Sequence, residues 1–135
     1  MIEYSDDLGR LSPADLDGFF QGWAAPPTPG QHLKLLKDSY AFLVAIDIRE
    51  ERVVGFVSAV SDGVLSAYIP LLEVRPEYRG QGIGRELMSR MLEKLKGLYM
   101  IDLSCDEHLV DFYERLGFQP ARAMLLRDYR WREGK

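Results

Sequence analysis

The apolar positions of the chain follow two different periods, which predicts both strands and helices. Residues 40–48, 53–60 and 64–74 are runs of β-branched and aromatic residues, separated by a charged turn and by an Asp-Gly turn. Because the connections are too short for a crossover, these three runs predict an antiparallel meander. Three shorter segments of similar character predict further strands: residues 2–5, 98–104 and 123–131.

Four other segments carry apolar residues at the i, i+3, i+4 and i+7 spacing of an amphipathic helix. They are residues 12–23, 31–37, 86–96 and 106–116. The first begins with Ser12 as a candidate N-cap and Pro13 in the first turn. The third connects the last meander strand to the next strand, so those two strands are expected to be parallel. One mixed α/β (α+β) domain over residues 1–135 accounts for all of these elements.

The composition is that of a soluble globular protein of ordinary domain size. The 135 residues are 47% hydrophobic and 28% charged, and the net charge of −4 argues weakly against nucleic acid as a partner. No apolar run reaches the length of a membrane span, and no signal peptide is visible at the start, so a cytoplasmic protein without a membrane partner is expected. With a single cysteine, Cys105, and two histidines, neither an internal disulfide nor a metal site is expected.

The most informative stretch is the glycine-rich turn at residues 79–85, Arg-Gly-Gln-Gly-Ile-Gly-Arg, between a strand and a helix. Free backbone N–H groups at the positive end of a helix, with no Cβ in the way, form a binding site for phosphate. The alternative is a tight turn that only reverses the chain. A Walker loop is disfavoured because Gly84 is followed by Arg85 rather than by Lys and Ser or Thr, and the dinucleotide fingerprint lacks its third glycine.

Arg79, Gly82 and Gly84 fill the pattern Arg/Gln-x-x-Gly-x-Gly/Ala, with Val-x-Pro just upstream. This resembles the pyrophosphate loop of the GCN5-related N-acetyltransferases, the GNAT superfamily, which bind acetyl-coenzyme A. A second motif, from Asp106 to Phe118, is similar to the family's Asn-x-x-Ala-x-x-Leu/Phe-Tyr-Glu-Lys-x-Gly-Phe. Within the superfamily the chain looks most like a small bacterial and plastid branch.

The resemblance implies the GNAT fold. That fold has a mixed sheet of six to seven strands, in which an antiparallel meander precedes a parallel pair that is splayed at the cofactor site. About four helices accompany the sheet. A single N-acetyltransferase domain over residues 1–135 is therefore expected.

The resemblance also implies the reaction and its residues. The expected activity is transfer of an acetyl group from acetyl-coenzyme A to a primary amine, by direct attack through a tetrahedral intermediate. Tyr113 is the expected catalytic residue, as the general acid that protonates the leaving thiolate. A backbone N–H at residues 72–74 is expected to stabilise the oxyanion. The expected cofactor-binding residues are Leu72, Val74, Arg79, Gly80, Gln81, Gly82, Ile83, Gly84, Arg85 and Asp106.

The sequence says less about the residues that bind the acceptor amine and take up its proton. Trp23 and Tyr68 are the main candidates for substrate binding, and Pro26, Pro27, His32 and Tyr129 are further ones. Trp23 also fits simple core packing, as Tyr113 by itself would. The amine can lose its proton to a water chain, to Tyr68, to Glu73 or to Asp62. Odd spacing along the strand places Glu73 on the face opposite Tyr68, and Glu73 alone is more typical of a solvated residue or an arginine partner.

Two functional hypotheses remain open at this point. In the first, the chain is an acetyltransferase that acts on a small amine or a protein amino group. In the second, it is a non-catalytic acyl-CoA-binding or protein-interaction module on the same fold. Family members are often dimers, so homodimer formation is also open.

Overall fold

The computed structural model describes residues 1–130 and shows a mixed sheet whose strands lie in sequence order. The first four strands are antiparallel to their neighbours, and the last pair is parallel. The mixed fold class, the meander and the parallel pair are therefore confirmed. The strands are β1 (Ile2–Ser5), β2 (Ala41–Asp47), β3 (Arg52–Ser61), β4 (Ser66–Val74) and β5 (Met100–Asp102).

Each face of the sheet has its own hydrophobic core. On one face, the first long helix after β4 packs Leu87, Met88 and Met91 against the central strands. On the other face, residues 12–24 and the helix that follows them bury Leu36 with several phenylalanines. The helices are α1 (Pro29–Asp38), α2 (Ile83–Lys94) and α3 (Val110–Glu114), with 3₁₀ turns at Leu8–Arg10, Pro13–Leu16, Pro76–Tyr78 and Glu107–Leu109.

The prediction of a helix over residues 12–23 is wrong. Ser12 opens only a single 3₁₀ turn. Gly18, Phe20 and Gly22 then have φ values of +87°, +65° and +84°, which a right-handed helix does not allow. The described residues therefore contain three α-helices rather than about four. The apolar spacing still identified core residues, since most of the large apolar side chains of this segment are buried.

The sheet has five strands within residues 1–130, so the prediction of six to seven strands is wrong for this part of the chain. Residues 123–130 were predicted to form a strand and form none in the described part of the chain, and residue 131 lies outside it. Among residues 1–130, β5 is therefore an edge strand of the sheet.

A bulge in β4 changes the register of its pairing with β3 and the face on which its side chains lie. Val60 of β3 pairs with Tyr68, but Ser58 pairs with Leu71, so β4 carries one additional residue in between. The additional residue reverses the alternation of side chains, and Tyr68 and Glu73 therefore lie on the same face of the sheet. The prediction that odd spacing separates them is wrong for this reason. Beyond Tyr68, β4 no longer pairs with β5, and the parallel pair opens as expected.

No helix within residues 1–130 is long and apolar enough to cross a membrane. The cytoplasmic location stays a prediction.

Candidate functional site

Two glycines shape the turn that leads into α2. Gly80 and Gly82 have left-handed backbone conformations, with φ values of +77° and +85°, which residues with a Cβ rarely adopt. Gly82 is the N-cap of α2, and its carbonyl accepts the helix's first backbone hydrogen bond, from the N–H of Glu86. The N–H groups of residues 83–85 therefore have no acceptor within the helix. They form a row of donors at the positive end of a twelve-residue helix.

These donors lie at a cleft of about 550 Å³ between the end of β4, the glycine turn and the segment that leads into α3. Nine of the ten predicted cofactor-binding residues line this cleft, and Gln81 is the exception. Tyr113 lines the same cleft, so the predicted catalytic and cofactor-binding residues are brought together. Apart from the glycine and its two neighbours in the chain, no heavy atom lies within 4 Å of the position that a Cβ would take at Gly80 or Gly82, which leaves room for a ligand beside the turn.

The open end of β4 adds further donors beside the cleft. The backbone N–H of Arg75 donates to the Val54 carbonyl of β3 at 2.8 Å. Because the hydrogen-bonding direction alternates along an antiparallel strand, the N–H groups of Leu72 and Val74 point away from β3. Those groups face the side where β5 has already parted from β4. The Val74 carbonyl on the same side accepts a hydrogen bond from Arg79 Nε at 3.0 Å, which ties the glycine turn to the strand.

Tyr113 is both a core residue and a cleft residue. Its side chain is only 9% exposed, and its ring packs edge-on against Phe112 and Phe118 at centroid distances of 4.9 and 5.9 Å. Burial, followed by the proximity of Cys105, raises the pKa of Tyr113 to about 12. The phenol therefore remains protonated at neutral pH and is able to donate a proton or a hydrogen bond. Asp106 lines the cleft from the N-cap position of the 3₁₀ turn before α3.

Glu73 has a role that neither its spacing nor its strand position indicates. Its carboxylate accepts hydrogen bonds from the backbone N–H of Phe20 at 2.8 Å and of Gln21 at 3.2 Å. Phe20 is the residue in the left-handed conformation, so the carboxylate holds the bend of residues 12–24 against the end of β4. Both carboxylate oxygens are occupied in this way, which argues against Glu73 as the base that deprotonates an amine.

Arg75 fastens the same segment from the other side of the strand end. Its buried guanidinium donates from Nε to the Val53 carbonyl at 2.7 Å and from Nη2 to the Asp15 carbonyl at 3.3 Å. It also lies over the Phe19 ring, 4.2 Å from the centroid. Glu73 and Arg75 together are called the β4 latch below. An arginine after a strand is ordinarily exposed, so the sequence offers no signal for this contact.

Asp62 is committed to the hairpin between β3 and β4. Its Oδ1 accepts hydrogen bonds from the backbone N–H of Leu65 and Val64, both at 2.8 Å, and of Ser66 at 3.2 Å. These bonds lower the pKa of Asp62 below its ordinary value. A carboxylate that is stabilised in this way is a weak base, which makes Asp62 a turn residue.

The two predicted substrate-binding residues lie outside the cleft of the glycine turn. Trp23 is 54% exposed, packs edge-on against Phe20 and lines a second cleft with Leu125 and residues 127–129. The Tyr68 hydroxyl donates to Ser104 Oγ at 2.8 Å and lines a third cleft, between β5 and residues 121–127. The described residues therefore do not bring Trp23 and Tyr68 into one pocket, although both stand beside the same stretch of chain. Their role in substrate binding stays a prediction.

Within residues 1–130, no group of three or more His, Cys, Asp and Glu side chains is placed to hold a metal ion. Cys105 is a free, exposed cysteine.

The chain is similar over most of its length to proteins of one family. The family model described as Acetyltransferase (GNAT) family matches residues 10–118. A crystal structure from Deinococcus radiodurans, of a protein assigned as an acetyltransferase, superposes with a TM-score of 0.91 at 49% identity and covers 95% of this chain and 89% of that one.

Curated relatives match a shorter part of the chain. An Arabidopsis thaliana protein named GCN5-related N-acetyltransferase 2, chloroplastic, is 37% identical over 53% of this chain and 28% of its own length. A Prochlorococcus marinus protein named uncharacterized N-acetyltransferase ycf52-like is 31% identical over 72% of this chain and 56% of its own. The chain thus spans between about a quarter and just over half of the length of these two relatives.

Proposed function

Because the chain belongs to the GNAT family of acetyltransferases, we propose that it transfers an acetyl group from acetyl-coenzyme A to a primary amine. One observation carries the proposal: the free N–H groups at the start of α2, the open end of β4 and Tyr113 all lie at a single cleft. The acceptor is a small amine or an amino group of a protein.

The glycine turn supplies the binding energy for the diphosphate of acetyl-coenzyme A. Donors at residues 83–85 face an approach that no side chain occupies at Gly80 and Gly82. Hydrogen bonds to a charged group contribute roughly 1.5–3 kcal/mol each, so a few of them account for binding in the micromolar range.

The end of β4 and Tyr113 serve the chemical step. As the amine nitrogen bonds to the thioester carbon, the carbonyl oxygen becomes an oxyanion, which the N–H groups of Leu72 and Val74 stabilise; a donor of this kind contributes roughly 3–4 kcal/mol. The carbon–sulfur bond then breaks, and Tyr113 donates its proton to the departing sulfur. After the attack, the nitrogen gives up one further proton, which restores the phenol of Tyr113. The proton that the ammonium form loses before it attacks goes to solvent. Because Glu73 and Asp62 are engaged elsewhere, Tyr68 and a water chain remain as routes for that proton.

The test is an amine panel in which release of free thiol from acetyl-coenzyme A is followed for the wild type and for Tyr113→Phe. The variant is expected to bind acetyl-coenzyme A with unchanged affinity and to turn over at least about tenfold more slowly, because it retains the ring and lacks the proton. Tyr40→Phe is the matched control, since Tyr40 is 52% exposed and lines none of the three clefts described above.

Two outcomes would contradict the proposal. Unchanged turnover in Tyr113→Phe would remove Tyr113 as the acid. Failure of every amine in the panel to release thiol, with acetyl-coenzyme A still bound, would favour the non-catalytic acyl-CoA-binding module.

A further inference from the structure

The glycine turn carries more free donors than the start of α2 alone provides. Within residues 1–130, the backbone N–H groups of Gly80, Gln81 and Gly82 donate to no acceptor. All three residues are exposed, so neither burial nor a hydrogen bond of their own fixes the direction of these N–H groups. Their direction therefore depends on the residues that hold the two ends of the turn.

The two ends of the turn are held in different ways. After the glycines, Ile83 begins α2 and is only 3% exposed, in the core between this helix and the sheet. Before the glycines, Pro76–Tyr78 forms a single 3₁₀ turn that buries none of its residues. This end is therefore held by side-chain contacts, of which the bond from Arg79 Nε to the Val74 carbonyl is one.

Tyr78 makes the second of these contacts. Its ring lines the cleft of the glycine turn and packs against the core on the α2 face of the sheet. Its hydroxyl donates to Oδ2 of Asp47, the last residue of β2, at 2.6 Å. This bond raises the pKa of Tyr78 and lowers the pKa of Asp47, so the phenol is a donor and the carboxylate is a charged acceptor at neutral pH.

Asp47 is itself fixed by the turn between β2 and β3. Its Oδ1 accepts hydrogen bonds from the backbone N–H of Arg49 at 3.0 Å and of Glu50 at 3.3 Å, which leaves Oδ2 for Tyr78. The residue is 8% exposed, so its carboxylate lacks the freedom of a surface side chain. A hydrogen bond to a charged and immobile acceptor is stronger than one between neutral groups, and it restrains the residue that donates it.

We propose that Tyr78 and Asp47 are positioning residues for the diphosphate of acetyl-coenzyme A. The bond between them holds the glycine turn at the end before the glycines, so that the N–H groups of residues 80–82 are oriented before the ligand binds. A site whose donors are already fixed loses less conformational entropy on binding, and its affinity is correspondingly higher. This role rests on the proposed function, because it takes acetyl-coenzyme A as the ligand.

The first test is titration calorimetry with acetyl-coenzyme A and with coenzyme A. In Tyr78→Phe, which keeps the ring, the Kd for both ligands is expected to rise about tenfold, because both carry the same diphosphate. In contrast, kcat at saturating acetyl-coenzyme A is expected to change by less than about twofold, since the bond acts on binding and not on the thioester. Glu77→Gln is the matched control and should keep the wild-type Kd, because Glu77 lies in the same 3₁₀ turn and makes only an exposed 4.0 Å contact with Arg52.

A double-variant cycle shows whether the two residues act through their bond. Asp47→Asn is expected to raise the Kd for acetyl-coenzyme A about fivefold, and the double variant Tyr78→Phe, Asp47→Asn should bind no more than about twofold more weakly than Tyr78→Phe alone. Asp62→Asn is the matched control for Asp47. Asp62 also accepts N–H groups of a hairpin turn, but its bonds stay within that hairpin, so the Kd should not change.

A measurement on the free protein tests the same role without any ligand. The backbone N–H of Arg79 donates to the Pro76 carbonyl at 3.2 Å, directly after Tyr78. Its hydrogen exchange, followed by NMR, is expected to be at least about fivefold faster in Tyr78→Phe than in the wild type, because the end of the turn is no longer held. Exchange in Glu77→Gln should match the wild type.

Three results would overturn the proposal. Wild-type affinity in Tyr78→Phe would show that the bond to Asp47 does not serve the ligand. Losses of affinity that multiply in the double variant would show that the two residues act independently. Unchanged exchange of the Arg79 N–H in Tyr78→Phe would show that the bond does not hold the turn. Neither affinity nor exchange depends on acetyl transfer, so the proposed function can fail without deciding the role of Tyr78.

Discussion

The glycine turn at residues 79–85 and the segment at residues 12–24 both lie against the end of β4, yet they obtain their shapes from different sources. The turn owes its shape to its own residues, since Gly80 and Gly82 adopt left-handed conformations and a helix begins directly after them. The segment is held by the β4 latch, whose side chains lie more than fifty positions away in the sequence. A conformation that is encoded locally can be predicted from the sequence, whereas one imposed by a distant side chain cannot.

The largest expected effect concerns the glycine turn. In Gly82→Val, a branched side chain occupies the approach to the free N–H groups, and affinity for acetyl-coenzyme A is expected to fall by at least about a thousandfold, roughly 4 kcal/mol. Gly97→Val is the matched control, because Gly97 has a similarly positive φ of +99° and equally open surroundings but lies beyond the far end of α2. Titration calorimetry that finds wild-type affinity in Gly82→Val would remove the turn from the binding site.

The next effect concerns the latch and is measured as stability. Arg75→Ala is expected to lower the free energy of unfolding by roughly 3 kcal/mol, because it leaves two carbonyl groups without their charged donor and opens space beside Phe19. Arg90→Ala is the control, since Arg90 also lies over an aromatic ring, that of Tyr4, but on the surface and with an exposed partner. Arg90→Ala is expected to lower the free energy of unfolding by less than about 1 kcal/mol. If urea unfolding gives equal losses of unfolding free energy for Arg75→Ala and Arg90→Ala, Arg75 does not hold residues 12–24 as described.

The core beneath residues 12–24 is expected to be sensitive to acid. His32 is buried among Phe19, Phe20 and Phe56, and this burial lowers its pKa to about 4. The unfolded chain, with an ordinary histidine, takes up the proton first, so the free energy of unfolding falls as the pH drops from about 6.5 toward about 4.

The expected loss over this interval is roughly 1–3 kcal/mol, measured by urea unfolding at a series of pH values. Carboxylates with lowered pKa values, such as that of Asp62, add their own losses only at lower pH. His32→Leu is the control, and its stability should be nearly constant over the same interval. An identical pH dependence in the variant and the wild type would show that another group is responsible.

The smallest expected effect distinguishes positioning from catalysis at Glu73. Glu73→Gln retains the size of the side chain but weakens the two hydrogen bonds to Phe20 and Gln21, which hold the segment that carries the predicted substrate-binding residue Trp23. KM for the amine is therefore expected to rise about fivefold, roughly 1 kcal/mol. KM for acetyl-coenzyme A is expected to change by less than about twofold. Glu77→Gln, at an exposed position with only a 4.0 Å contact to Arg52, should change neither. A fall in kcat of about a hundredfold or more, with KM unchanged, would identify Glu73 as the base after all.

Some features of this chain could be predicted from its sequence, while other predictions were wrong. The strand–turn–helix unit and the parallel pair follow from local patterns, and the structure has them. The grouping of Tyr113 with the glycine turn follows from the family resemblance, and the structure has it as well. The helix predicted over residues 12–23 does not form, although its apolar residues have helical spacing. Three of the five residues at positions 18–22 have positive φ values, which a right-handed helix does not allow. The opposite placement of Tyr68 and Glu73 is also wrong, since counting residues along a strand cannot detect a bulge.

By itself, the sequence determined the elements that short patterns encode, namely the meander, the glycine turn and the start of α2. Its two motifs also identified the family to which the chain belongs. Only the tertiary structure decided that Glu73 and Arg75 hold a bent segment, that Asp62 stabilises a hairpin and that residues 123–130 form no strand within the part of the chain that the structure describes. The physical reason is that backbone preferences and helix dipoles act over neighbouring residues, while bulges and side-chain contacts between distant segments depend on groups that meet only after the chain has folded.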